Sequence, residues 1–324
     1  MTDVTDVAVQ SRSALPADRH SLLVRKGHGP EGRRFTRTER WGLVFILPFF
    51  VMFLFFLVIP IIYALYDSFF TTRLIGGTAF TGFSNYKTAL ESGAFWRGML
   101  RTAIYAAIQV PVLIAIATFF ATLFDLGVAK WGAVFRTIFF IPFAVPTVVA
   151  GVMWSFLFED PYGPLDRILH DIGLGHFNFM GAGAPLLGSI IVIATWEWTG
   201  YTMVILFTAL RSVPRDVVES AVIDGARLGR VITRVKLPMI APAITLVGIL
   251  NIIGALQLFV EPEVLTVFTT NVSYNYTPTI YLYNQAYAAQ EYNLAAAISF
   301  VLALIIIVIS VSFVMVRRRK GGWI

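Results

Sequence analysis

Six long stretches without charge dominate this chain. Trp41–Tyr66, Thr102–Phe124, Thr137–Phe158, Leu186–Leu210, Met239–Val260 and Tyr292–Val316 hold no Asp, Glu, Lys or Arg except Glu197. A helix needs about 20 apolar residues to cross the hydrocarbon of a bilayer, so each stretch is long enough to be one span. The expectation is an all-α membrane protein with six transmembrane helices. Composition agrees. The 324 residues are 57% hydrophobic and 14% charged, with a mean hydropathy of +0.74. A soluble fold needs about one quarter charged residues to cover itself. That excludes an ordinary cytosolic enzyme, a disordered protein and a nucleic-acid binder.

Lysine and arginine give the orientation, because cytoplasmic segments carry the excess. Eight precede Trp41, two lie in 125–136, six in 211–238 and four in the tail after Val316. The alternate segments hold four in 67–101, one in 159–185 and none in 261–291. Twenty charges therefore stand on one side and five on the other. This predicts both termini in the cytoplasm. Residues 1–40 read as a polar, disordered tail, 41–316 as the membrane domain and 317–324 as a basic tail. Prolines 48, 60, 111, 142 and 146 fall inside the first three stretches. Each removes a helical hydrogen bond and bends its helix.

The segment 211–238 carries the most information. Pro214 suits the first turn of a helix, and Asp216 and Glu219 suit its positive end. Val218, Ala221 and Val222 recur at helical spacing and predict an apolar face. Asp224-Gly225 predicts the stop, because glycine takes the left-handed conformation. A second helix follows with Arg227, Arg230 and Arg234, ending at Leu237-Pro238. An apolar face on an otherwise wet loop marks a docking surface.

These residues resemble a known motif. Glu219-Ser-Ala-x-x-Asp224-Gly225-Ala226, then Leu237-Pro238 and Pro242, is similar to the EAA loop of permease subunits of bacterial ABC importers. Serine stands at the second position, where alanine is usual, and Val231 or Ile232 replaces an aromatic. Three stretches resemble the sugar permeases related to the maltose and glycerol-phosphate importers. The first is Leu47-Pro48, Ile59-Pro60 and Tyr66-Asp67-Ser68-Phe69. The second is Phe83-Ser84-Asn85-Tyr86 with Phe95-Trp96. The third runs from Gly254 through Gln257, Phe259, Glu261 and Pro262 to Tyr283-Asn284, Tyr287, Ala295, Ile298 and Ser299.

The resemblance implies the type I importer architecture. It also implies a second permease chain, two copies of an ABC ATPase, an extracytoplasmic solute-binding protein and a carbohydrate substrate. ATP and Mg would sit on the ATPase, leaving this chain non-catalytic and without a cofactor. Glu219, Ala221, Asp224, Gly225, Ala226 and Pro238 would be the ATPase-coupling positions. Glu219 would pair with a basic group of the ATPase, and Gly225 would permit the tight turn.

A solute path is sought among polar and aromatic residues at bilayer depth. A charge there is costly and is functional or paired. Glu197 lies mid-span between Trp196 and Trp198, and shares a helical stripe with Tyr201 and Thr208. Gly254, Gln257 and Glu261 share another. The candidate path is Trp196, Glu197, Tyr201, Asn251, Gln257 and Glu261. Two readings of Glu197 stand: it lines the path, or it holds the partner permease. The tryptophans equally suit helix packing. The tyrosines at 274, 276, 281, 283, 287 and 292 suit either a binding-protein contact or an interfacial aromatic belt.

Enzyme signatures are missing. No P-loop and no H-E-x-x-H occurs. His20, His28, His170 and His176 lie outside the spans and show no metal-ligand company in sequence. The rival to an ABC importer is a proton-coupled sugar carrier with Glu197 as the titrating group.

Overall fold

The computed structural model describes residues 37–73, 76–127 and 131–319. The expected tail therefore lies outside the described residues up to position 36, as do the last five residues. The chain divides into two compact units, Met1–Leu57 and Val58–Ile324. The first contains helix α1, Arg37–Phe53.

Among the described residues, five helical runs are long and apolar enough to span a membrane: Val44–Asp67, Gly93–Asp125, Ala184–Arg211, Ala241–Leu265 and Tyr292–Arg317. The remaining expected span, Thr137–Phe158, the third in chain order, is not one rod. Helix α5 (Gly132–Phe140), a 3-10 turn (Ile141–Ala144) and helix α6 (Thr147–Leu157) follow one another. The pair Gly132–Ala144 and Thr147–Leu157 is bent by 98°. Pro146 lacks a donor and its ring collides with the carbonyl four residues back. Val145 is extended, at ψ 128°, as the residue before a proline prefers.

Helix α2 covers Ile59–Asp67, α3 Ser84–Glu91 and α4 Gly93–Asp125. At 33 residues, α4 is about 50 Å long, so it begins nine residues before the expected span and outruns the hydrocarbon. All-α is nearly right. A small antiparallel hairpin, β1 (Phe70–Arg73) with β2 (Gly77–Phe80), pairs Phe70 with Phe80. Buried Asn85 fixes it by donating to the carbonyls of Ser68 (2.9 Å) and Phe70 (2.7 Å). Asn293 donates to the Asp67 carbonyl at 3.0 Å and accepts from the Thr72 amide at 3.2 Å. The sixth span thereby holds the same outer edge of β1.

The remaining helices are α7 (Pro164–Asp171), α8 (Ala184–Arg211), α9 (Arg215–Ile223), α10 (Leu228–Val231), α11 (Leu237–Met239), α12 (Ala241–Leu256), α13 (Val260–Leu265), α14 (Pro278–Tyr283) and α15 (Tyr292–Arg319). Gln109, Leu113, Ala117 and Ala121 are all buried on α4. They repeat every four residues and form the stripe that packs on α8. Small residues bring membrane helices close. The extreme case is Gly200 of α8, where a Cβ would strike the carbonyl oxygen of Phe139 and lie 2.8 Å from the Phe140 Cα. The outward sides of α12 and α15 expose Leu246, Leu304, Ile307 and Val308, an apolar surface suited to lipid or another apolar helix.

Candidate functional site

The expected span five breaks where its polar residues lie. Helix α12 stops at Leu256 and α13 restarts at Val260, because Pro262 cannot coexist with a helical carbonyl at position 258. The unwound turn, with Gln257 and Phe259, opens on a cavity of about 290 Å³. Its wall includes Tyr105 and Gln109 of α4, Thr147 of α6, Trp198 and Tyr201 of α8, and Asn251, Gln257 and Glu261. Phe143 stacks on the Tyr201 ring at 4.7 Å between centroids and meets Trp198 edge-on at 5.4 Å. Asn251 donates to the Val247 carbonyl at 2.9 Å, which leaves its amide oxygen available. Aromatic faces beside amides and a carboxylate can grip a polyhydroxyl solute, the rings covering apolar C–H faces and the polar groups meeting hydroxyls.

Tyr201, Asn251, Gln257 and Glu261 therefore meet, although the helical stripe expected for Gly254, Gln257 and Glu261 is interrupted. Trp196 and Glu197 are not among the lining residues. Trp196 packs edge-on against Trp154 at 5.7 Å, while Trp198 faces the cavity. Glu197, 3% exposed, accepts from Thr147 Oγ1 at 2.6 Å. Thr147 opens α6 after the bend, so the carboxylate sits at that helix's positive end. Its second oxygen is buried without a protein partner among the described residues. Thr208 is exposed and donates to the Val204 carbonyl at 2.9 Å. Thr147 and Phe143 were missed in the sequence; the signal was Pro142 and Pro146, which place the bend there.

The loop 211–238 folds as two helices around Gly225. Gly225 has φ +79°. The Ala226 amide reaches the Ala221 carbonyl and the Gly225 amide the Val222 carbonyl, both at 3.0 Å; this is a Schellman stop. The exposed apolar side differs from the expected one. Val218 and Ala221 turn half-buried toward the protein, whereas Val222 (56% exposed), Ile223 (85%) and Leu228 (59%) flank the turn outward. Ile223 and Leu228 were missed because α9 ends a residue before the turn, and a periodicity counted along one helix does not reach across it. Glu219 lines a cavity of about 210 Å³ with Arg211, Arg215, Lys236 and Asp125. Asp224 and Pro238 are exposed, and Ala226 is half-buried.

The family model described as "Binding-protein-dependent transport system inner membrane component" matches residues 117–321. The chain belongs to this family. It is a multi-pass inner-membrane permease of a binding-protein-dependent importer, and a non-catalytic subunit. The permease is similar to the arabinooligosaccharides transport system permease protein AraP of Bacillus subtilis (strain 168). Identity is 31% over 268 residues, covering 82% of this chain and 85% of the relative. It is 29% identical to the lactose transport system permease protein LacF of Rhizobium radiobacter, covering 86% and 95%. A chain of the bacterial alginate ABC transporter, solved in complex with an alginate pentasaccharide-bound periplasmic protein, has the same fold. The TM-score is 0.76 at 22% identity, over 87% of this permease and 96% of that chain.

Two features outside the cavity correct the sequence reading. His176 does have company: Asp160, Asp166 and His176 each bring a ligand atom within 4.8 Å of the others. Both oxygens of fully buried Asp166 are already engaged, by His176 Nδ1 at 2.6 Å and the Phe177 amide at 2.7 Å. Asp166 and His176 therefore read as a clasp closing the loop 159–185. Those hydrogen bonds, His176 first, hold the Asp166 carboxyl below the usual aspartate range. A carboxyl lowered by folding stabilises the fold above its unfolded value, and loses that effect as pH falls through the folded one. Asp166→Ala is expected to lower the thermal midpoint at pH 7, with the difference from wild type closing only below the ordinary aspartate range. Melting curves against pH check it; a gap that closes near neutrality would refute the clasp.

The tyrosines divide as well. Tyr276 and Tyr281 are buried, at 3% and 8% exposure, while Tyr274, Tyr283, Tyr287 and Tyr292 are exposed. Arg101 donates to the Tyr276 carbonyl at 2.6 Å and sits 4.3 Å over its ring. A single surface role for all six is therefore excluded.

Proposed function

We propose that this permease passes a neutral oligosaccharide inward through the cavity bounded by α4, α6, α8 and α12. The observation that carries this is the wall itself: Tyr105, Trp198 and Tyr201 stand beside Gln109, Asn251, Gln257 and Glu261, with no lysine or arginine lining it among the described residues. An anionic sugar would meet Glu261 uncompensated, whereas neutral hydroxyls would meet acceptors and amides. Permeases named for arabinooligosaccharides, lactose and starch degradation products are similar over most of this chain. Their names support the same class.

The solute-binding protein would deliver the sugar outside. A second permease would complete the pore, and two ATPase copies carrying ATP and Mg would dock on the cytoplasmic side. The charge asymmetry puts both termini and the Gly225 turn on that side. Val222, Ile223 and Leu228 would enter the ATPase, with Glu219, Ala221, Asp224, Ala226 and Pro238 shaping and seating the loop.

Uptake of radiolabelled arabinotriose and maltotriose by cells expressing the whole operon tests this reading. Glu261→Ala is expected to raise KM by at least about tenfold, since a hydrogen bond to a charged group is worth about 1.5–3 kcal/mol. Gln257→Ala is expected to raise it about fivefold, for a neutral bond of about 1 kcal/mol. Uptake should persist when the proton gradient is dissipated and stop when the ATPase is disabled. Normal kinetics in both variants would remove the cavity from the path. Collapse with the proton gradient would sink the importer assignment.

A further inference from the structure

Among the described residues one ion pair made by a lysine or arginine is drawn inside the protein. Lys236 Nζ lies 2.5 Å from Asp125 Oδ2, with side chains 15% and 3% exposed. The Lys87–Glu91 pair, by contrast, is 75% and 67% exposed. Asp125 is the last residue of α4, and Lys236 closes the π-turn Ile232–Lys236 that follows α10. The partners stand 111 residues apart and join the end of span two to the start of span five. They line the same cavity as Glu219. Beneath them a core of Ala121, Phe124, Leu210 and Ile240 packs the ends of α4, α8 and α12 together.

Burying two charges costs desolvation that an apolar pair avoids, so such a pair adds little stability. What it adds is geometry. Arg227, Arg230 and Arg234, on the same loop, are all exposed; Lys236 alone is turned inward onto α4. The π-turn that carries it is an irregular helix turn of the kind found where function demands an altered register.

We propose that the Asp125–Lys236 pair is a positioning tie that makes α4, a wall of the solute cavity, follow the coupling loop when the ATPases close. Tyr105 and Gln109 stand on the same helix as Asp125, about five and a half and four and a half turns away. A displacement at Gly225 thus reaches the cavity through a charged contact as well as through apolar packing. The proposal rests on the coupling reading of the Gly225 turn.

The permease has no cysteine, so Phe119→Cys and Met239→Cys, both at exposed positions, accept two spin labels on α4 and at the start of span five. The purified assembly, with partner chains made cysteine-free, is measured without nucleotide and with ATP, Mg2+ and vanadate. Three backgrounds are compared: the wild-type pair, the apolar pair Asp125→Leu/Lys236→Met, and the swapped pair Asp125→Lys/Lys236→Asp. Without nucleotide, all three should give the same label distance. With ATP and vanadate, the apolar pair should diverge by about 2 Å or more, the scale of interface helix shifts, and the swapped pair should return to the wild-type value. An apolar pair that matches wild type in both states shows that packing suffices, and the tie is wrong. A divergence already present without nucleotide shows a static brace, and the tie is equally wrong. Gly225→Val reports separately on the coupling reading: if it leaves uptake unchanged, that reading fails whatever the labels show.

Discussion

Gly225→Val is expected to cut oligosaccharide uptake at least tenfold, roughly, while the permease still reaches the membrane. Left-handed backbone costs an ordinary L-residue about 1–2 kcal/mol, and more when the side chain is β-branched. Among the described residues no atom lies within 4 Å of the position a Cβ would take at Gly225, so the penalty comes from φ +79°. The chain escapes it by undoing the Schellman stop, which swings Ile223 and Leu228 away from each other. Asn enters the left-handed region far more readily than other residues. Gly225→Asn should therefore keep at least about one third of wild-type uptake. Membrane abundance, co-purification of the ATPase and uptake are measured together. Equal losses in both variants would mean that side-chain bulk at the interface matters, and that the backbone argument is mistaken.

Gly200→Ala is expected to remove most of the folded permease. Here the difficulty is space. A single methyl would collide with the Phe139 backbone, which is held by the proline-bent segment that follows and cannot retreat like a side-chain tip. Overpacking costs about 1–3 kcal/mol even where neighbours yield; a backbone obstacle pushes α8 and α5 apart. Gly188 lies on the same helix with nothing within 4 Å among the described residues. Gly188→Ala should be neutral or gain up to about 1 kcal/mol from helix propensity. Yield and monodispersity in mild detergent separate the two. If Gly200→Ala behaves like Gly188→Ala, α5 and α8 are not in the contact described.

The two glycines illustrate different kinds of legibility. Gly225 was readable because a stop signal is local: an Asp-Gly pair after an apolar period, with an arginine-rich helix beyond. Gly200 carried no such signal, since its constraint is the carbonyl of a residue 61 positions earlier. The exposed ridge of Ile223 and Leu228 was likewise hidden, because it forms only when two helices fold about the turn. In the cavity, Tyr201, Asn251, Gln257 and Glu261 were named from residue type. Trp196 and Glu197 were named on the same grounds yet face Trp154 and Thr147 instead.

The sequence by itself determined the membrane environment, the number of apolar runs, the charge asymmetry and the glycine turn. Each is a property of consecutive residues meeting one solvent, lipid or water. Only the tertiary structure decided which faces of those helices meet. It bent span three by 98° and unwound span five beside Gln257. It brought Asp125 to Lys236 across 111 residues. Those outcomes depend on contacts between segments distant in sequence, where one Cβ, one proline or one buried charge selects among packings that hydropathy alone leaves equivalent.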